Sequence, residues 1–187
     1  MKRIFYAFIL ILLSCQPIEL VEPVVFDNSQ LNKISFSAHT VKIDEKYEAS
    51  FADPFIDHSL QNPPVHRLKS WINDNIISIG KENKLVIKII EASIKKTEIN
   101  NNDAKKYEEK FIYKYELALL VEYNLYNNSD YLLASTLVEN FRSTTSGKFI
   151  SLQETENIID DLILLSLRDF SIESEKLIKQ YMKDFIL

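Results

Sequence analysis

The sequence predicts an α+β fold: a four-stranded antiparallel sheet with helices packed on one face, in the order β-α-β-β-β-α(α). Three patterns carry this reading. From Phe111 to Leu125 every odd-numbered residue is apolar, the two-residue period of a strand with one buried face. Val65, Leu68, Trp71, Ile72, Ile76 and Ile79 recur at helical spacing. Ser151-Leu152-Gln153-Glu154 is a capping box, in which the serine hydroxyl and the glutamate carboxylate satisfy each other's backbone amides at the start of a helix.

The folded part begins at Lys33. In KISFSAHTVKI, Ile34, Phe36 and Ala38 alternate with small polar residues, which predicts the first strand. Pro54, Pro63 and Pro64 then make FADPFIDHSLQNPP irregular. Pro64 suits the first turn of the helix that follows, and Gly80 is placed to end it. Leu85 to Thr97 reads as the second strand, with both faces apolar near Ile89-Ile90, the mark of a bulge. Polar residues from Lys95 to Lys106 predict a loop with Asn100-Asn101-Asn102 at its tip. The alternating strand comes next, and Asn127-Asn128-Ser129-Asp130 turns the chain back into Tyr131 to Thr144, closing a long antiparallel hairpin. The last helical pattern runs through Ile158, Ile159, Leu162, Ile163, Leu165, Leu167 and Phe170. Ser171 to Ser174 leave open whether it continues into the amphipathic segment carrying Leu177, Ile178, Tyr181, Met182 and Phe185.

Ahead of this domain stand a basic start (Lys2, Arg3), an apolar run from Ile4 to Leu13, and Ser14. That is the layout of a secretory signal peptide. Ten apolar residues span about 15 Å as a helix, half the hydrocarbon thickness of a bilayer, so a permanent span is a poor fit. Leu12-Leu13-Ser14-Cys15 resembles the lipobox of bacterial lipoproteins: a branched apolar residue, a small residue before the cleaved bond, and a cysteine whose thiol receives the lipid. Cys15 is the sole cysteine, so it can make no internal disulfide. The resemblance implies cleavage between Ser14 and Cys15 and acylation with palmitate-type chains, which anchor more firmly together than a single chain does. Gln16 stands where an aspartate would retain such a protein in the inner membrane, so the resemblance implies the outer membrane, facing the periplasm. The expected organisation is a signal peptide over 1–14, a lipidated N-terminus and tether over 15–32, and a single periplasmic domain over 33–187.

The processed chain holds 20 basic against 27 acidic side chains, a balance of −7. Nucleic-acid binding leans on clustered Lys and Arg against phosphate, so that partner is set aside. With two glycines in the chain, neither a phosphate-cradling loop nor a dinucleotide fingerprint can be written. A nucleophile elbow also needs flanking glycines, and an acylated Cys15 offers no thiol for covalent catalysis. No enzyme, metal site or cofactor is predicted. The polar residues Asp53, Asp57, His58 and His66 form the one cluster that could supply carboxylate and imidazole groups, yet no HExxH pairing accompanies them. They read more simply as turn and capping groups ahead of the helix. Trp71 reads as core.

DPFIDHSLQNPPVHRLKSWINDNI resembles a segment shared by a group of uncharacterised bacterial lipoproteins, as does FRSTTS followed by SLQETENIIDDLILLSLRDFSIESEKLIKQY. More loosely, the order of elements is similar to that of the auxiliary lipoproteins of ABC-type transport systems and of the lipopolysaccharide-assembly lipoprotein. These resemblances imply a noncatalytic binding or assembly component of an envelope system, with lipid transport as one such system and an envelope protein as partner. The expected contact residues are Asp53, Phe55, Asp57 and His58 in the loop, and Tyr181 and Phe185 near the C-terminus. Two alternatives remain open on the sequence: a carrier holding a small apolar ligand between sheet and helices, and an enzyme or metal site at the Asp53/Asp57/His58/His66 loop.

Overall fold

The computed structural model describes residue 31 and residues 33–102, 104–105 and 107–187. Ser14 and Cys15, with the whole leader and most of the tether, lie outside the described residues. In chain order the elements are β1 (Ile34–Phe36), β2 (Thr40–Glu45), a short 3-10 turn (Asp57–Ser59), α1 (Pro64–Asn75), β3 (Ile76–Ser78), β4 (Lys84–Asn100), β5 (Phe111–Tyr126), β6 (Leu132–Gly147), α2 (Leu152–Tyr181) and a closing 3-10 turn (Lys183–Phe185).

The main sheet has four strands in the order β2-β4-β5-β6, and both helices pack on one face of it. The class and strand number are those expected, but the sheet is mixed. β4, β5 and β6 are antiparallel neighbours, whereas β2 runs parallel to β4, from Thr40 opposite Lys84 to Glu45 opposite Ile89. Parallel neighbours need a crossover, and the segment carrying α1 provides it.

Where one first strand was expected, the chain changes sheets. β1 pairs in parallel with β3 in a separate two-stranded sheet. The step from β1 to β2, Ser37 to His39, is held from the side: the His39 amide donates to the Glu82 carbonyl at 2.9 Å and Asn83 Nδ2 donates to the Ser37 carbonyl at 3.2 Å. Correspondingly, α1 stops at Asn75 and not at Gly80. Asn75 Nδ2 donates back to the Trp71 carbonyl at 3.1 Å, and the β-branched pair Ile76-Ile77 leaves the helix for β3. Gly80 has another task, because a Cβ there would lie 2.5 Å from the Ala38 nitrogen and the Ser37 carbonyl carbon. The backbones of 79–80 and 36–38 can approach only without it.

β4 continues to Asn100, three residues past the expected strand end at Thr97, because its pairing with β5 persists through Asn100 opposite Phe111. The expected bulge is present, with Ile90 unpaired between Ile89 opposite Val121 and Glu91 opposite Leu120. Ser151 and Glu154 form the reciprocal capping box, and α2 then runs for 30 residues without a break. Continuity at Ser171–Ser174 has a packing reason: Ser171 and Ser174 are buried against the sheet, and the Tyr123 hydroxyl donates to Ser174 Oγ at 3.4 Å.

Leu85, Ile87, Ile89, Ala92 and Ile94 of β4 and Tyr115, Leu117, Leu119, Val121, Tyr123 and Leu125 of β5 line the covered face. Trp71 of α1 meets Phe170 of α2 edge to face at 5.5 Å, and Arg67 pairs with Asp160 where the helices cross. Burial holds the Tyr123 hydroxyl proton on well above the usual tyrosine range. A raised folded-state value adds stability that is intact below about pH 10 and is lost above it, as the unfolded chain gives up the proton first. Urea midpoints should therefore fall between pH 9 and pH 11. Tyr123→Phe should remove up to about 1.4 kcal/mol per pH unit of that slope, and an identical slope in the variant would refute the assignment.

Candidate contact surfaces

The loop after β2 is built as a brace for the sheet. β2 ends at Glu45, leaving the far half of β4 without a strand on the side away from β5. The loop takes its place: the Ile56 amide donates to the Ile94 carbonyl at 3.0 Å and the Lys96 amide to the Pro54 carbonyl at 2.8 Å, with Phe55 bridged to Lys95. Asp57 completes the join. Its carboxylate accepts from the Ile94 amide at 3.1 Å and from the Tyr47 hydroxyl at 2.6 Å, and its residue is 2% exposed. Burial first, and the Asp57 carboxylate second, raise Tyr47 well above the usual tyrosine range, so its proton stays in that bond at neutral pH.

A cleft of about 340 Å³ lies beside this brace, lined by Glu45, Tyr47, Asp57, His58, Gln61 and His66 among its polar groups. Three of the four residues of the predicted polar cluster thus share it; Asp53 is exposed and does not line it. Four of these groups have fixed partners: Asp57, Tyr47, Glu45 and His58. Both Asp57 oxygens are engaged, Glu45 pairs with Lys69, and the His58 ring lies 3.2 Å from the Ser50 carbonyl through Nδ1, stacked at a tilt on Phe51. Among the described residues no group of three or more His, Cys, Asp or Glu side chains converges on a possible metal position. Phe55 is half-buried with Lys95 Nζ 5.0 Å from its ring centre.

The C-terminal residues join the small sheet. The Ser37 amide donates to the Phe185 carbonyl and the Leu187 amide to the Ser35 carbonyl, at 2.8 and 2.9 Å. Phe185 and Ile186 pack on the core, while Tyr181 stays exposed. The space between sheet and helices, where an apolar ligand would have to lie, is filled by Trp71, Phe170, Tyr115, Tyr123 and their aliphatic neighbours.

A surface the sequence reading did not single out is β6. Its residues facing the helices are small or polar, Ala134, Thr136, Asn140 and Thr144 around one valine, Val138. Leu133, Leu137 and Phe141 point to the open face and are 42%, 52% and 68% exposed. The signal was available in the alternation: the bulkier apolar set is the one that does not face the core.

Compared by sequence, the chain matches no protein-family pattern and no curated protein. Compared by structure, it is similar to a minor lipoprotein from Acinetobacter baumannii, at 10% identity and a TM-score of 0.40, over 76% of this chain and 92% of that one. It is also similar to the rare lipoprotein B from Shewanella oneidensis, at 11% identity and a TM-score of 0.37, over 73% of this chain and 93% of the other. Both of those proteins are described as lipoproteins. No described helix is long and apolar enough to cross a membrane.

Proposed function

We propose that this chain is an envelope lipoprotein, anchored through acylated Cys15 at the outer membrane on its periplasmic side, which acts by binding rather than by catalysis as an assembly or auxiliary component of an envelope system such as lipid transport. The observation that carries the reading is LLSC: the only cysteine of 187 residues stands where a lipobox would use it. Two structural features support a binding role. The buried carboxylate of the loop cleft, Asp57, is spent on bracing β4, and the exposed apolar side chains of β6 offer a surface for a partner.

Labelled palmitate should enter the wild-type chain, which should fractionate with the outer membrane. Cys15→Ser should incorporate none and accumulate as the precursor with its leader attached. Incorporation into the variant would overturn the anchor, and recovery of no envelope protein with the wild-type chain under several crosslinkers would overturn the binding role.

A further inference from the structure

The two edges of the main sheet are built differently. β2, at one edge, is six residues long and half of them are charged: Lys42, Asp44 and Glu45. Short, charged strands are a common protection against pairing with another chain. β6, at the other edge, is 16 residues long, has no proline or lysine, and carries two charges, Glu139 and Arg142. Arg142 is already paired with Asp169 of α2. Among the described residues no strand pairs with the outer side of β6.

We infer that β6 is the self-association edge of this protein, pairing antiparallel with β6 of a second copy about a two-fold axis at Leu137. A two-fold pairing allows only registers that keep each face on its own side. With the axis at Leu137, that residue meets itself, Leu133 meets Phe141 of the second copy, and Ser135 meets Glu139. On the helix side Ala134 meets Asn140 and Thr136 meets Val138. Leu133, Leu137 and Phe141 then each have an apolar partner directly across the strands, and Leu132, at the irregular start of β6, falls opposite Arg142. The sole carboxylate of the strand faces a serine hydroxyl, so no like charges oppose each other. Moving the axis to Glu139 would instead set that carboxylate against itself. The neighbouring charges on the open face of β4 and β5 are satisfied within each copy, Lys88 with Glu122 and Lys114 with Glu116. The chain's own segment 16–30 is a poorer occupant, since it has three acidic residues, no basic one, and two prolines that would interrupt a ladder.

The test uses the chain from residue 15 with Cys15→Ser, so that it is independent of the anchor and has no other thiol. Leu137→Cys in this background should form a disulfide-linked dimer under mild oxidation. Thr145→Cys, exposed on the same strand, should not, because its two copies would lie roughly 50 Å apart at about 3.3 Å per residue. Sedimentation should show a dimer for the Cys15→Ser chain and a monomer for added Leu137→Lys, with unchanged circular dichroism. A monomer at 200 µM would overturn the inference, as would equal crosslinking at both positions. A dimer appearing only after removal of residues 15–32 would overturn it too, by showing the tether on the edge.

Discussion

Asp57→Ala is expected to destabilise the protein by about 2–4 kcal/mol, with hydrogen bonds to a charged group contributing about 1.5–3 kcal/mol each and a stranded buried amide costing about 1–3 kcal/mol. The variant leaves the Ile94 amide, in a fully buried stretch of β4, without its acceptor. It also leaves the Tyr47 hydroxyl without its partner, although that side chain is nearer to water and recovers part of the loss. The two contributions are therefore not additive. Asp57→Asn keeps the shape and one acceptor oxygen, so it should lose roughly half as much. Urea unfolding of Asp57→Ala, Tyr47→Phe and the double variant measures the coupling, and hydrogen exchange at Ile94 and Lys96 should accelerate in the Asp57 variants before the rest of β4 does. An Asp57→Ala chain within 0.5 kcal/mol of wild type would mean that the carboxylate is not structural, and the acid-base reading of the cleft would regain its force.

How far such a role could be read from the chain differs from element to element. Wherever a pattern is enforced by the core, residue order alone is sufficient. β5 alternates because one of its faces meets the core under the helices and the other carries half-buried charges such as Lys114, Glu116 and Glu122, and the capping box of α2 is a local arrangement that needs no distant partner. The errors cluster where a partner far along the chain decides. Ile76 and Ile79 fit a helical face, yet pairing with β1, 42 residues earlier, draws Ile76–Ser78 into a strand. Gly80 looks like a helix stop, but the close approach of Ser37 and Ala38 is what requires it. The direction of β2 follows from a crossover whose handedness and length are features of the whole fold.

The loop cleft shows the same division. The cluster of Asp53, Asp57, His58 and His66 was visible in sequence, since these residues lie close together along the chain around the start of α1. What Asp57 does was not, because the groups it serves are Tyr47 and the backbone of β4. A backbone amide has no signature in a sequence. β6 is the reverse case. Its alternation was legible throughout, but choosing which set faces the helices needs the width of the gap beneath α2, where the small residues Ala134 and Thr136 let the helix approach.

Trp71→Ala should be the most damaging single substitution, with a loss of about 3–5 kcal/mol typical of emptying a buried aromatic site. Trp71 is 0% exposed and lies edge to face with Phe170, so its ring links α1 to α2 above the sheet. Its indole nitrogen has no hydrogen-bond partner among the described residues. That makes Trp71→Phe informative: it removes an unpaired N–H together with part of the ring, and the two effects oppose each other, so the loss should be about 1 kcal/mol. A ligand platform would behave otherwise, since an exposed indole could be truncated with little change in stability. Phe170→Ala should cost nearly as much as Trp71→Ala, and the double variant should fall short of their sum by about 0.5–1.5 kcal/mol, the coupling expected of an aromatic pair. Because Trp71 is the only tryptophan, the wild-type chain reports the same site by fluorescence, with blue-shifted emission that moves to the red as the core opens. Circular dichroism follows the variants that lack it. Additive losses at the two positions would show that α1 and α2 are held to the sheet separately rather than through this contact.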